Sequence, residues 1–143
     1  MLPVILWAIE TGMRRGEILR MKWSHVDEKS RTLLIPTTKN GHSRRIPLTD
    51  EALKILSGLD KSTETVFPIS ANSVRLTWRR MAAKLGLKGL RFHDLRHEAI
   101  STLFERGLNI PEVSMISGHR DWASLKIYTQ PRPADVLRKL NER

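Results

Sequence analysis

The sequence predicts a mostly helical α+β domain in which one small antiparallel three-stranded sheet packs on a bundle of helices. Three observations predict it. Apolar residues recur at helical spacing at the start of the chain and through nearly everything after residue 50. Between those stretches the period changes to short β-type runs around Asn40-Gly41, a strong hairpin-turn signal. The length of 143 residues is that of one ordinary domain, so residues 1–143 are read as a single unit.

The elements follow in order. Residues 3 to 11 read as a helix with Ile5 and Ile9 on one face and Gly12 as its stop. A short second helix runs from Arg14 to Met21. His25-Val26-Asp27, Thr32-Leu33-Leu34-Ile35 and Arg45-Ile46-Pro47-Leu48 read as strands, with Lys39 beside the turn. Asp50 can cap a helix over 51–58. Residues 72–85 place Val74, Trp78, Met81 and Leu85 at helical spacing. A helix over 94–106 is stopped by Gly107, and Leu95, Ala99 and Leu103 form its core stripe. Asn109 with Glu112 makes a capping-box start for a helix ending at Gly118. Asp121 opens a short helix leading to Tyr128, and residues 134–140 form a last one.

Composition narrows the function classes. The hydrophobic fraction of 40% and charged fraction of 28% are those of a soluble globular protein. No apolar run approaches a membrane span, and the N-terminus lacks a signal-peptide layout. Cysteine is absent, which excludes disulfides and thiolate chemistry and fits a reducing cytoplasm. A formal charge of +10 suggests a polyanionic partner, although a basic protein with no such partner would show the same total. From Val74 to His93 there are six basic residues (Arg75, Arg79, Arg80, Lys84, Lys88 and Arg91) and no acidic one. Arg75 and Arg79 lie one helical turn apart and repel. Either that face meets an external anion or it is simply solvated. Arg75, Arg79, Arg80, Arg91 and Arg120 are the candidate contacts to such a polyanion.

Four local signatures carry the chemistry, each weak alone. In Thr11-Gly12-Met13-Arg14-Arg15-Gly16-Glu17, Gly12 lets the chain turn so that Arg14 emerges at the mouth of a helix, and Glu17 can orient its guanidinium. By itself this is an ordinary surface ion pair. Lys39 on a hairpin tip could protonate a leaving oxygen, or could merely decorate a polar turn. In His93-Asp94-Leu95-Arg96-His97, His93 and Arg96 share a helix face near the N-terminus, where free N–H groups also favour a phosphate. Gly118 presents His119 at a helix end, and nine residues later comes Tyr128, the chain's single tyrosine. A lone tyrosine is more often a packing residue with a polar tip than a nucleophile.

Together the parts suit attack on a phosphodiester. Two guanidiniums and imidazole donors would stabilise the extra negative charge of a phosphorane-like species. A cationic pocket would also ease proton loss from Tyr128. No carboxylate cluster suited to Mg²⁺ stands out, and arginines can supply that charge.

In these residues the chain resembles the phage-integrase-type tyrosine recombinases, relatives in mechanism of type IB topoisomerases. The resemblance runs from Thr11 to Tyr128 in the family's order. It implies an integrase-like catalytic core with Arg14, Lys39, His93, Arg96, His119 and the nucleophile Tyr128 as catalytic residues. Glu17 and His97 stand beside that set, His97 with no role assigned. Ser117 stands where the family more often has leucine, read as a packing change. The implied activity is cleavage and religation of double-stranded DNA through a 3′-phosphotyrosine, needing no metal, ATP or other cofactor. The resemblance also implies four protomers on paired DNA sites, with residues 134–142 docking on a neighbour or packing in cis. It places the protein in the cytoplasm of a bacterium or of a phage's bacterial host, acting on chromosomal DNA. A core-binding domain is expected to accompany this catalytic domain, whose first helices open the chain, and the domain by itself could be monomeric.

Two other readings compete. Residues 97–127 could form a helix-turn-helix of a DNA-binding regulator, which needs neither Arg14 nor Tyr128. His93 and His97 lie four apart as zinc ligands often do, but the sequence suggests no third ligand.

Overall fold

The structure, a computed structural model, describes residues 1–37 and 42–142. Helix α1 (Leu2–Thr11) begins with Pro3, where a missing N–H costs nothing, and ends at Gly12 in the left-handed region (φ +67°). Its buried face is Val4, Trp7, Ala8 and Thr11, while Ile9 is exposed. Ile5 packs against the edge of the core, so of that pair only Ile9 is turned away from it. Trp7 decides the orientation: it is fully buried, donates from Nε1 to Met13 Sδ at 3.2 Å, and meets the Phe67 ring at 5.9 Å.

Helix α2 (Arg15–Leu19) is shorter than expected, with Arg14 held in an extended conformation just before it. A 3₁₀ turn over Trp23–His25 takes His25 out of the first strand, since its Nδ1 accepts the Lys22 backbone N–H. The strands are β1 (Val26–Asp27), β2 (Thr32–Ile35) and β3 (Arg44–Pro47), all antiparallel in the order β1-β2-β3. Leu33 pairs with Ile46 and Ile35 with Arg44, which puts Leu33, Ile35 and Ile46 into the core. The expected hairpin turn and Lys39 lie outside the described residues.

Thr49, not Asp50, caps α3 (Asp50–Ser57): its hydroxyl accepts the Ala52 N–H at 3.0 Å from an extended backbone. Asp50 instead starts the helix and pairs with Arg31. Ser70 caps α4 (Ala71–Lys84) in the same way. Helix α5 spans Asp94–Glu105 and α6 spans Ile110–Ser117. The Asn109/Glu112 capping box is formed, with reciprocal bonds of 2.9 and 2.8 Å. The segment Trp122–Tyr128 is a 3₁₀ helix opened by Asp121, and α7 (Pro133–Asn141) follows.

Two cores result. The larger joins α1, the sheet and α3 to residues such as Val66, Val74 and Phe92. The smaller consists of Ile100, Val113 and Leu125, flanked by Leu103, Phe104 and Tyr128. Helix α5 serves both, since Leu95 packs on the first and Ile100 belongs to the second. Among the described residues no helix is long and apolar enough to cross a membrane.

Candidate active site

The site lies where the α1–α2 turn, β3, the start of α5 and the end of α6 meet. Two left-handed glycines build its walls. Gly12 exposes a carbonyl oxygen that accepts from Arg96 Nη1 at 2.6 Å. Gly118 (φ +80°) closes α6 so tightly that a side chain there would come within 2.9 Å of the Arg44 guanidinium.

Arg96 is buried, at 4% exposure, and ties the two walls together. Besides Gly12 it donates from Nη2 to the Ser117 carbonyl at 2.8 Å and lies 3.5 Å from His119 Nδ1. Arg14, half exposed, donates to the same Ser117 carbonyl at 3.5 Å. The two arginines thus converge on one oxygen. A guanidinium carries five N–H donors, so both keep donors free for an anion. Burial first, then Arg14, lowers the Arg96 pKa to about 10, so Arg96 stays cationic at neutral pH.

Glu17 does not act chiefly on the Arg14 guanidinium, as its position one turn away suggested. Its carboxylate is buried and takes two bonds from Arg44, at 2.6 and 3.1 Å, and one from the Arg14 backbone N–H at 2.9 Å. The Arg14 guanidinium is farther, at 3.8 Å. Burial pushes the Glu17 pKa up, but Arg44 and the Arg14 N–H outweigh it and hold the group below the usual carboxylate range. Arg44 also donates from Nε to the Ile116 carbonyl at 2.9 Å, clamping β3 to α6.

Arg44 was missed in the sequence, although a signal existed. It has the same parity in β3 as the buried Ile46, so it faces inward, and an inward arginine requires a counterion. Ser117 was misread as a packing change. Its hydroxyl lies 2.6 Å from His119 Nδ1, and the same oxygen receives the His119 backbone N–H at 3.4 Å. The hydroxyl proton is therefore available to Nδ1, and Arg96 can only donate toward that nitrogen. Both partners assign the Nε2–H tautomer to His119. Burial, with Arg96 and Arg14, lowers its pKa to about 4, so at neutral pH His119 is an uncharged donor.

His93 stands exposed at the head of α5, its pKa lowered by burial and then by His97 and Arg96. Tyr128 lies against the exposed side of α5, and its hydroxyl is hydrogen-bonded to His97 Nδ1. Burial raises the Tyr128 pKa, and the opposing Arg96 charge does not overcome it. The expectation that the cationic pocket makes this phenol more acidic is thus corrected: the Arg96 charge lowers the pKa by less than desolvation raises it.

Of the candidate DNA contacts, Arg75, Arg79 and Arg91 line one groove with Arg15, Lys88 and Trp78. Arg80 and Arg120 are exposed but do not line it. Among the described residues no three His, Asp or Glu side chains gather as metal ligands would, so the His93/His97 pair finds no third ligand there.

Fold and site together define a mostly helical α+β domain built around a preset cluster of arginines, with a tyrosine at its edge. The chain belongs to the phage integrase family, whose model matches residues 2–135. It is 44% identical over 138 residues to a shufflon-specific DNA recombinase of Escherichia coli, covering 95% of this chain and 36% of that protein. It is 36% identical over 141 residues to a putative integrase/recombinase of Haemophilus influenzae, covering 96% of this chain and 46% of that protein. The chain therefore spans less than half the length of these relatives. Its fold matches the Tn1549 transposon integrase in complex with circular intermediate DNA (TM-score 0.77, 19% identity, 99% of this chain and 57% of that one). It also matches a lambda integrase dimer bound to a core site (TM-score 0.72, 23% identity, 92% of this chain and 42% of that one).

Proposed function

We propose that this chain is the catalytic domain of a site-specific DNA recombinase that cuts and rejoins strands through Tyr128. The observation that carries the proposal is the convergence of Arg14 and Arg96 on the Ser117 carbonyl beside the Nε2–H of His119. A phosphate seated there meets two guanidiniums and a neutral imidazole donor already in position, which is the condition for stabilising a phosphorane-like transition state. Relatives named as recombinases, and fold neighbours solved on DNA, support double-stranded DNA as the substrate.

In this mechanism the Tyr128 oxygen attacks the scissile phosphorus, and the 5′-oxygen leaves with a proton from Lys39. The 3′-phosphotyrosyl ester keeps the bond energy, so a 5′-hydroxyl from the same or a partner strand can attack it and reseal the backbone. ATP has no step to drive, and the arginine cluster supplies the charge a metal would otherwise provide. His93 and His119 donate to the non-bridging oxygens, and the groove of Arg75, Arg79 and Arg91 holds flanking phosphates. On this reading the full-length protein works in the bacterial cytoplasm as four protomers on two sites, α7 bridging neighbours.

The test is trapping on a pool of nicked suicide duplexes with a randomised core, followed by peptide mapping. A covalent adduct at Tyr128, abolished in Tyr128→Phe and indifferent to EDTA, is expected. Arg96→Lys should lower the yield by about two orders of magnitude or more, because a point ammonium cannot replace the forked donor. DNA binding without any adduct would leave a non-catalytic DNA-binding protein as the reading.

A further inference from the structure

In the proposed strand cleavage the proton of the Tyr128 hydroxyl needs an acceptor. Tyr128 is the ring in the middle of a three-ring stack on one face of α5. Its centroid lies 6.2 Å from His97 at an interplanar angle of 22°, and 6.2 Å from Phe104 at 17°. His97 and Phe104 are seven residues apart, two helical turns, so both point to the same side of the helix. Phe104 contributes only packing. His97 contributes a ring nitrogen, Nδ1, in hydrogen-bond contact with the Tyr128 oxygen.

We propose that His97 is the base that receives the Tyr128 phenolic proton as the oxygen attacks the scissile phosphate, a step that rests on the recombinase reading. The O–H bond of Tyr128 breaks, its proton goes to His97 Nδ1, and the oxygen forms the bond to phosphorus while the 5′-oxygen departs. In religation the sequence reverses: the incoming 5′-hydroxyl attacks and gives its proton to Lys39, the phenol oxygen leaves, and the proton returns to it from His97. No other reactant is needed.

The surroundings fit a proton that arrives and leaves again. From its own helix His97 faces His93, edge to face at 5.2 Å, and neighbours Arg96. From the other elements it faces Tyr128, and His119 is near enough to feel its charge. His93 and His119 are both held toward the neutral form, so neither places a full charge against a protonated His97. Burial meanwhile holds the Tyr128 proton on more firmly than in water, which is why an acceptor in contact is required.

The test uses His97→Asn, which keeps a polar atom near the Nδ1 position but cannot take up a proton, alongside His97→Ala. His97 is exposed, so neither change should alter thermal melting. Cleavage is measured on the suicide duplexes and on versions with a 5′-bridging sulfur, whose departure needs no acid. Both variants are expected to slow cleavage by about 100-fold, and the sulfur is expected not to restore it. The wild-type acid limb in the pH–rate profile should disappear in His97→Asn. Full rescue by sulfur would put His97 on the leaving-group side and overturn the proposal, as would wild-type rates in either variant. An independent readout is the imidazole ¹⁵N spectrum: Tyr128→Phe should shift His97 Nδ1, and an unmoved resonance would mean the contact does not form. A wild-type chain with no Tyr128 adduct would sink the recombinase reading itself, whereas normal wild-type cleavage with an unimpaired His97→Asn sinks this proposal alone.

Discussion

The arginine cluster and the Tyr128 segment both contact α5 but are built on opposite principles. The cluster is cross-linked from four directions: Arg96 ties the Gly12 turn to the end of α6, and Arg44 ties Glu17 and β3 to the same helix end. Arg96, Glu17 and the Arg44 side chain are largely buried and bonded on several sides, and Arg14 stands half exposed at the edge. The Tyr128 segment is a 3₁₀ stretch whose buried anchor is Leu125, with Trp122 and Ile127 exposed at 51% and 71%. It rests on a core of three fully buried residues rather than on the large one. The difference teaches how the labour is divided. Donors that stabilise developing charge gain from being fixed before the reaction, because reorganising them would cost free energy at the transition state. On the proposed reading Tyr128 is the group that becomes attached to DNA, and a segment with few buried anchors suits a side chain that has to reach a substrate.

The largest effect should come from breaking the cluster. Arg44→Ala leaves the Glu17 carboxylate buried without its main partner, and removing one side of such a pair costs about 3–5 kcal/mol. Denaturant unfolding of the whole chain should report this loss. The double variant Arg44→Ala/Glu17→Gln should recover a substantial part, because no unpaired charge then remains. Equal stability of the single and double variants would show that the charge itself is not what the arginine answers.

A smaller and more local effect is expected from Leu125→Ala. Truncating a fully buried leucine costs about 2 kcal/mol or more, but here the loss falls on the minor core. Hydrogen exchange should quicken through residues 119–130 while α1 and the sheet keep their protection. Uniform loss of protection would mean that the two regions are one cooperative unit and do not differ in local stability.

The sequence showed the two regions unequally. The glycine stops at 12 and 118 and the Asn109 capping box are local rules, and they formed as read. The resemblance placed Arg14, His93, Arg96, His119 and Tyr128 in order, and the fold brings Arg14, Arg96 and His119 together on the Ser117 corner. What stayed hidden joins residues far apart in the chain. The Arg44–Glu17 pair spans 27 positions, and no local pattern names the partner of an inward arginine. The choice of Thr49 over Asp50 as cap was settled among elements whose local preferences allowed either. Tyr128 was visible as the lone tyrosine, yet its contact with His97 depends on how a 3₁₀ segment lies across α5, which periodicity does not encode.

The smallest effect should be the most diagnostic of the cluster's preset character. Ser117→Ala removes one hydroxyl from a fully buried position and should cost about 1 kcal/mol. Its consequence lies in His119, which loses the donor that favours a bare Nδ1. Imidazole ¹⁵N spectra should show nearly pure Nε2–H tautomer in the wild type and a mixture in the variant. The pH dependence follows with a definite sign. His119 titrates at about 4 in the folded chain against an ordinary 6.5, so the unfolded state takes up its proton first. Acidification therefore destabilises the folded chain progressively from about pH 6.5 down to about 4, below which this contribution is constant. Glu17 acts lower: its stabilisation is complete above its ordinary 4.5 and disappears as the pH falls through its depressed folded value. Replacing His119 by Gln should flatten the upper window and leave the lower one intact. If His119 titrates near 6.5 in the wild type, the neutral donor is not preset, and the contrast between a fixed cluster and a lightly anchored Tyr128 segment loses its strongest support.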